Sequence, residues 1–258
     1  MLIDTHAHLT DKAFNRDLED CLKRAASQGV AAIINVGFTL YHGRKAVALA
    51  RAYPELYATV GIHPHDAAEV PADYLEGLRK LAADPKVVAI GELGLDFYRN
   101  LSPPPLQEKV FREQLGLARE VGLPVVIHDR DAHRRVLQIL QEEGLGERGG
   151  VMHCFSGDLP FARECLAAGL YISIAGPVTY RKAEDLQQVA AACPRERLLL
   201  ETDCPYLTPH PFRGKRNEPA HVALVCRQVA LLRGEPPEEV ARYTSENAIR
   251  FFGLDLTL

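Results

Sequence analysis

The sequence predicts an α/β fold: a single (β/α)8 TIM barrel over residues 1–258 with a C-terminal helical addition. Three observations carry that expectation. Eight short apolar runs rich in β-branched residues recur along the chain, longer amphipathic segments lie between them, and the seven intervals covering the 197 residues from Ile3 to Leu200 average about 28 residues. One strand, one helix and two loops consume about that length. Strands apolar on both faces that alternate with helices form a parallel sheet with right-handed crossovers, and eight units favour closure. A doubly wound open sheet would place a glycine-rich phosphate loop after the first strand, whereas that turn here is Thr5-His6-Ala7-His8-Leu9.

The expected strands are, in order, Leu2–Thr5, Ala31–Val36, Tyr57–Gly61, Val87–Gly91, Val125–Ile127, Gly150–His153, Tyr171–Ala175 and Arg197–Thr202. The clearest helix between them, Leu106–Val121, sets Val110, Leu115, Leu117 and Ala118 at helical spacing and is stopped by Gly122 and Pro124. Pro71 and Asp73 open a helix ending near Leu81, and Asp158 caps another running toward Ala168. Beyond the eighth strand, Cys204–Glu218 is a long proline-rich loop. Helices near Ala220–Leu232 and Pro237–Phe252 follow, the last of them an addition packed on the barrel.

Composition removes several function classes. With 47% hydrophobic and 25% charged residues the chain is neither disordered nor fibrous. No apolar run reaches the roughly 18 residues of a membrane span, and the start of the chain lacks the basic and apolar stretches of a signal peptide, so a cytoplasmic location without membrane partners is expected. The six cysteines form no CxxC pair, which argues against a disulfide scaffold or a zinc ribbon. A net charge of −4 advertises no polyanion partner, so a nucleic-acid role requires a local basic patch.

In a barrel of this kind the active site is built at the C-terminal ends of the strands. Six strand ends carry metal-compatible side chains: His6 and His8 on the first, His63 on the third, Glu92 on the fourth, His128 on the fifth, His153 on the sixth and Asp203 on the eighth. Alternation along a strand turns His6 and His8 to one side and Ala7 to the other, so the pair can share an ion. Glu92 ends an apolar strand, where a carboxylate is costly to bury unless it meets a cation or hydrogen-bond donors. Glu201 shares a side with Asp203, so one of the two can be a ligand and the other its support. Asp203, nearer the mouth, is placed to act as general base on the attacking water. Cys154 and Cys204, each directly after a ligand position, would point away in extended backbone and are expected to be structural. Imidazoles and carboxylates without thiolates suit zinc, manganese, cobalt or nickel, and magnesium where several waters stay bound. About six ligands suffice for two divalent ions roughly 3.5–4 Å apart, bridged by a carboxylate such as Glu92.

The motifs Ile3-Asp4-Thr5-His6-Ala7-His8-Leu9, Gly61-Ile62-His63-Pro64, Gly91-Glu92-Leu93-Gly94-Leu95-Asp96, Met152-His153-Cys154-Phe155-Ser156-Gly157 and Glu201-Thr202-Asp203-Cys204-Pro205-Tyr206-Leu207 resemble the TatD-related metal-dependent deoxyribonucleases. The resemblance runs on to Arg213-Gly214 and Asn217-Glu218-Pro219. It implies a (β/α)8 barrel of the metal-dependent hydrolase superfamily, divalent metal ions and hydrolysis of DNA phosphodiesters, often from the 3′ end. By motif match it implies His6, His8, Glu92, His128, His153 and Asp203 as metal ligands, and it suggests a monomer. Asp129 departs from the family, which more often has a small residue there, and an added acid near a phosphate site could alter substrate choice. A relative bridging its ions with a carboxylated lysine would need that lysine at the end of the fourth strand, but Lys86 precedes the strand and Glu92 ends it.

On this reading His63 donates to a phosphate oxygen or the leaving group, and Arg130, two residues past His128, clamps a phosphate. Arg213, Lys215 and Arg216 form the compact basic cluster near the expected mouth, and Tyr206, Phe212 and Phe97 offer faces for unpaired bases, which suits single-stranded DNA or frayed ends. Two other functions compete: a barrel hydrolase for a small phosphoester, lactone or amide, and a non-catalytic metal-binding interaction protein.

Overall fold

The computed structural model describes residues 1–256. Eight parallel strands pair in chain order: β1 Leu2–Ala7, β2 Val30–Gly37, β3 Leu56–Val60, β4 Val87–Asp96, β5 Val125–Arg130, β6 Gly150–Met152, β7 Tyr171–Ile174 and β8 Leu198–Leu200. Between and after them run α1 Leu18–Ser27, α2 Leu40–Ala52, α3 Tyr74–Ala82, α4 Pro104–Val121, α5 His133–Glu143, α6 Leu159–Ala167, α7 Glu184–Ala192, α8 Val222–Arg233 and α9 Pro237–Phe252. This is the (β/α)8 barrel with its C-terminal addition. Every residue of β1 and β4 is buried, as a parallel sheet covered on its outer face by helices requires.

Several expected boundaries move, and at β4, β6 and β8 the reason is local. β4 runs past Gly91 to Asp96 because two glycines let it lie close against β5. Gly91 has φ +152 and a Cβ there would stand 2.7 Å from the Val126 carbonyl oxygen, while at Gly94, φ +140, a Cβ would collide with the His128 carbonyl. β6 and β8 are shorter than expected because Cys154 and Asp203 adopt φ +43 and +56, which ends the extended backbone. At Asp158 the expectation holds, its side chain accepting from the Phe161 N–H to cap α6.

A second apolar cluster occupies the N-terminal halves of the strands. It joins Ile3, Ile34, Val126, Val151 and Leu199 to Ala248, Phe251 and Phe252 of α9. The last helix therefore covers the N-terminal end of the barrel and leaves the C-terminal end to polar side chains.

The barrel closes between β1 and the segment after β8. Ala7 bridges Cys204, the Asp203 N–H donates to the His6 carbonyl (2.9 Å), and the His8 N–H donates to the Cys204 carbonyl (2.8 Å). Asp4, fully buried, staples this seam by accepting from the Thr202 N–H (2.8 Å) and hydroxyl (2.6 Å). Asp4→Ala leaves both donors buried without partners, and urea unfolding should show a loss of about 2–4 kcal/mol. Asp4→Asn retains an acceptor for the N–H and is expected to lose less. A loss below about 1 kcal/mol in the alanine variant would show that closure does not depend on this carboxylate.

Candidate metal centre

The seam fixes one half of the site. A β-bulge in β1 between Asp4 and Ala7 shifts the register, and His6 and His8 emerge with their Nε2 atoms 3.3 Å apart. His6 Nε2 lies 3.4 Å from Glu92 Oε2 and 3.8 Å from Asp203 Oδ1; His8 Nε2 lies 3.8 Å and 3.2 Å from the same two atoms. Ligands about 2.1 Å from a tetrahedral ion stand about 3.4 Å from one another. His6, His8 and Asp203 each offer an atom within 4.8 Å of the other two, the span a common cation would hold, and Glu92 Oε2 faces both imidazoles.

The other oxygen of Glu92 faces a second group. Oε1 is 2.7 Å from His128 Nδ1, 3.0 Å from His153 Nε2 and 3.5 Å from His63 Nε2. Glu92 is thus the carboxylate shared by two clusters, its side chain only 4% exposed. His153 is anchored from behind, its Nδ1 3.1 Å from Glu201 Oε1, which also accepts from the Cys154 N–H at 2.7 Å. The other oxygen of Glu201 accepts from Ser173 Oγ at 2.5 Å. Of the two carboxylates on one side of the β8 end, Asp203 joins the His6–His8 cluster and Glu201 supports His153.

The charges are mutually held. Burial alone would raise the Glu92 carboxyl, but the facing imidazoles of His153 and His128 outweigh it and hold Glu92 well below the usual carboxylate range. Burial also opposes Asp203, which His8 hydrogen-bonds and the charges of His8, His153 and His6 keep ionised. Burial depresses His6, and its stacking on His153, 3.8 Å between ring centroids, adds to that, since two charged rings in contact repel. Ionised carboxylates and imidazoles converging in a buried pocket are the donor set of a divalent cation site.

His63 differs from the other histidines. Its Nδ1 accepts the His65 backbone N–H at 3.1 Å, so in the neutral ring the proton sits on Nε2. Burial lowers its pKa to about 4, which keeps the ring neutral. A neutral ring with its proton on Nε2 presents a donor, not a lone pair, to the site.

The family profile of TatD related DNase matches residues 3–253. The chain belongs to the TatD-related DNase family. It is 47% identical over 255 residues to the Bacillus subtilis protein named uncharacterized metal-dependent hydrolase YabD, covering 99% of this chain and 100% of that one. It is 42% identical over 260 residues to the protein of Citrobacter rodentium named 3′-5′ ssDNA/RNA exonuclease TatD, covering 99% of both. The crystal structure of YJJV, a TatD homologue from Escherichia coli K12, superposes with a TM-score of 0.92 at 36% identity over 98% of each chain.

Around this TatD-family centre the remaining candidates fall into two groups. At the rim, Arg130 stacks its guanidinium 4.0 Å from the ring centre of Tyr98, which is 61% exposed. Tyr206 is 53% exposed with its ring 5.9 Å from His8, Arg213 lies 4.2 Å over Tyr180, and Lys215 5.8 Å over Phe212. Arg216 is engaged elsewhere, by both oxygens of Asp17 (2.7 Å each) and the Ala13 carbonyl, and so pins the loop to the start of α1. Phe97 packs against the core, and Tyr98 is the aromatic that faces solvent. Asp129 is buried, paired with His133 Nδ1 at 2.7 Å and accepting from the Ala132 N–H at the start of α5, so its carboxylate braces a helix. Cys204 is buried in the seam as expected. Cys154, in left-handed backbone, does not follow the extended alternation; desolvation and the nearby charges of Asp203, Glu201 and Glu92 keep its thiol protonated.

Sequence reasoning missed the supports. Gln107 and Gln114 on the buried face of α4 clasp the backbone of Asp96, the last residue of β4, and of Ile62, just past β3. Asn217 donates to the carbonyls of Thr202 (2.8 Å) and Tyr206 (2.6 Å) and steadies the stretch bearing Asp203. The available signal was two glutamines seven residues apart on a helix face that is otherwise apolar. Dialysis against EDTA is expected to lower the unfolding midpoint. Zinc or manganese restored at a hundred times its dissociation constant should add about 2.7 kcal/mol, and a midpoint indifferent to both treatments would show that these carboxylates hold no cation.

Proposed function

We propose that the chain is a two-ion 3′-to-5′ exonuclease acting on single-stranded DNA. The observation that carries the reading is Glu92, whose two oxygens face separate ligand clusters: His6, His8 and Asp203 for one ion, His128 and His153 for the other. The relatives whose names specify 3′-5′ single-strand exonucleases supply the direction and the substrate class.

When bound, the divalent ions supply positive charge for the phosphate oxygens and make the attacking water more acidic. The residues do the rest. Asp203, ionised and at 14% exposure more open than Glu92, accepts the proton of the attacking water. His63, neutral with its proton on Nε2, donates a hydrogen bond to a phosphoryl oxygen as charge builds there. It is an orienting donor, since a ring with a pKa of about 4 holds no spare proton for the leaving group at neutral pH. Arg130, Arg213 and Lys215 meet phosphates at the rim, and Tyr98 and Tyr206 offer ring faces to unpaired bases.

The test is hydrolysis of end-labelled single-stranded DNA with magnesium or manganese, with and without EDTA, beside Asp203→Asn and an RNA strand of the same sequence. Metal-dependent shortening from the 3′ end, slowed at least about 100-fold in Asp203→Asn, is the expected result. Internal cuts, 5′ shortening or full activity in the variant would overturn it. Glu92→Ala should lose both ions by metal analysis, and His8→Ala one. Tyr98→Ala and Arg130→Ala should each raise KM for the oligonucleotide roughly tenfold while leaving hydrolysis of bis(p-nitrophenyl) phosphate unchanged, because only the longer substrate reaches the rim. Equal effects on both substrates would place these residues outside the binding path.

A further inference from the structure

Asp96 ends β4 inside the Gly91–Asp96 motif, and neither ligand cluster uses it. Its side chain is 1% exposed and both oxygens are occupied. Oδ1 accepts the Arg99 backbone N–H at 2.7 Å; Oδ2 lies 2.8 Å from His65 Nε2 and 3.2 Å from His128 Nε2. The backbone beneath is rigid, because Gln107 accepts the Asp96 N–H at 2.9 Å and donates to its carbonyl at 3.1 Å.

An ionised carboxylate only accepts, so both imidazoles must turn an N–H toward Oδ2. His128 stands between two carboxylates, its Nδ1 2.7 Å from Glu92 Oε1, and the proton held on Nε2 by Asp96 is the one it keeps when a cation takes the lone pair of Nδ1. In His65 the same contact fixes the side chain, and the residue's backbone N–H reaches His63 Nδ1, which places the His63 proton on Nε2. A reversed His128 ring, protonated on Nδ1, would put an N–H where the second cluster needs a lone pair and a lone pair against the Asp96 carboxylate.

We propose that Asp96 is a positioning residue, which, partly through His65, sets the proton placement of two histidines at once, so that His128 offers a lone pair to metal while His63 offers a donor to substrate. This rests on the two-ion reading above. The arrangement follows a general property of metal-bound imidazoles, whose outer nitrogen is oriented by a hydrogen-bond acceptor. Here the acceptor is shared between His128 on β5 and His65 in the turn after β3.

Two measurements test it on the whole chain. Long-range proton–nitrogen spectra of the zinc-loaded, nitrogen-15-labelled wild type should place the ring protons of both His128 and His63 on Nε2. Asp96→Asn cannot reproduce the contact. Its single oxygen must serve either the Arg99 N–H or the two imidazoles, and its amide hydrogens then oppose the donors left over. Zinc titration of the metal-stripped protein by calorimetry should show second-ion affinity 10- to 100-fold weaker in Asp96→Asn, first-ion affinity unchanged, and the His63 and His128 signals displaced while those of His6 and His8 stay in place. A His128 protonated on Nδ1 in the wild type, or an Asp96→Asn variant that binds both ions as the wild type does, overturns the inference. A wild type that binds fewer than two zinc ions removes the two-ion reading, and this inference with it.

Discussion

The seam between β1 and residues 202–204 is the constraint on which the rest depends. A parallel barrel must join its last strand to its first, and here regular pairing stops at Leu200 and is completed by the buried carboxyl group of Asp4, which grips the backbone and hydroxyl of Thr202. The hydrogen bond from the Asp203 N–H to the His6 carbonyl and that from the His8 N–H to the Cys204 carbonyl then set His6, His8 and Asp203 side by side. Residues nearly two hundred positions apart meet because closure forces them to. The site is a by-product of topology, so its geometry is as rigid as the barrel itself.

The second constraint is charge. Two ionised carboxylates, Glu92 and Asp203, sit in a buried ring of imidazoles. Without a cation, protons must compensate: His8 and His153 are raised against the opposition of burial by the carboxylates they face. A divalent ion in place of those protons relieves the same electrostatic demand, and ligand binding to such a site releases protons as it proceeds. The fold therefore carries a charge arrangement that is satisfied either by acid or by metal. At neutral pH the metal is the better counter-charge, being divalent and able to meet several ligands at once.

Most of the inner site was legible because it lies on strands. A side chain at a strand end has its direction fixed by alternation and its location fixed by the barrel, so His6, His8, His63, Glu92, His128, His153 and Asp203 stood out as candidates, and the family resemblance narrowed the expected ligands to six by leaving out His63. Legibility failed where the backbone leaves that period. Cys154 and Asp203 adopt positive φ, so alternation misplaced the Cys154 thiol. It failed again on loops, where Arg216 lies in the basic cluster by sequence but turns away to Asp17, and where Tyr98, not Phe97, takes the exposed position. It failed for Asp96, Gln107 and Gln114 because their partners are backbone atoms or histidines on other elements, contacts that no local pattern encodes.

The division between what was legible and what was not is also a division of labour. The candidate ligands sit on β-strands or just past their ends, in stretches clasped by buried amides, Gln114 at Ile62, Gln107 at Asp96 and Asn217 at Thr202, so that their positions tolerate little error. Groups at the rim stand on loops and are held only by stacking, Arg130 on Tyr98 and Arg213 on Tyr180. Such pairs are weakly coupled to the core, and replacing them leaves the strand ends where they are. On the proposed reading the residues that would hold ions rest on the closed sheet, while those that would meet substrate stand on surface loops that can change without reopening it.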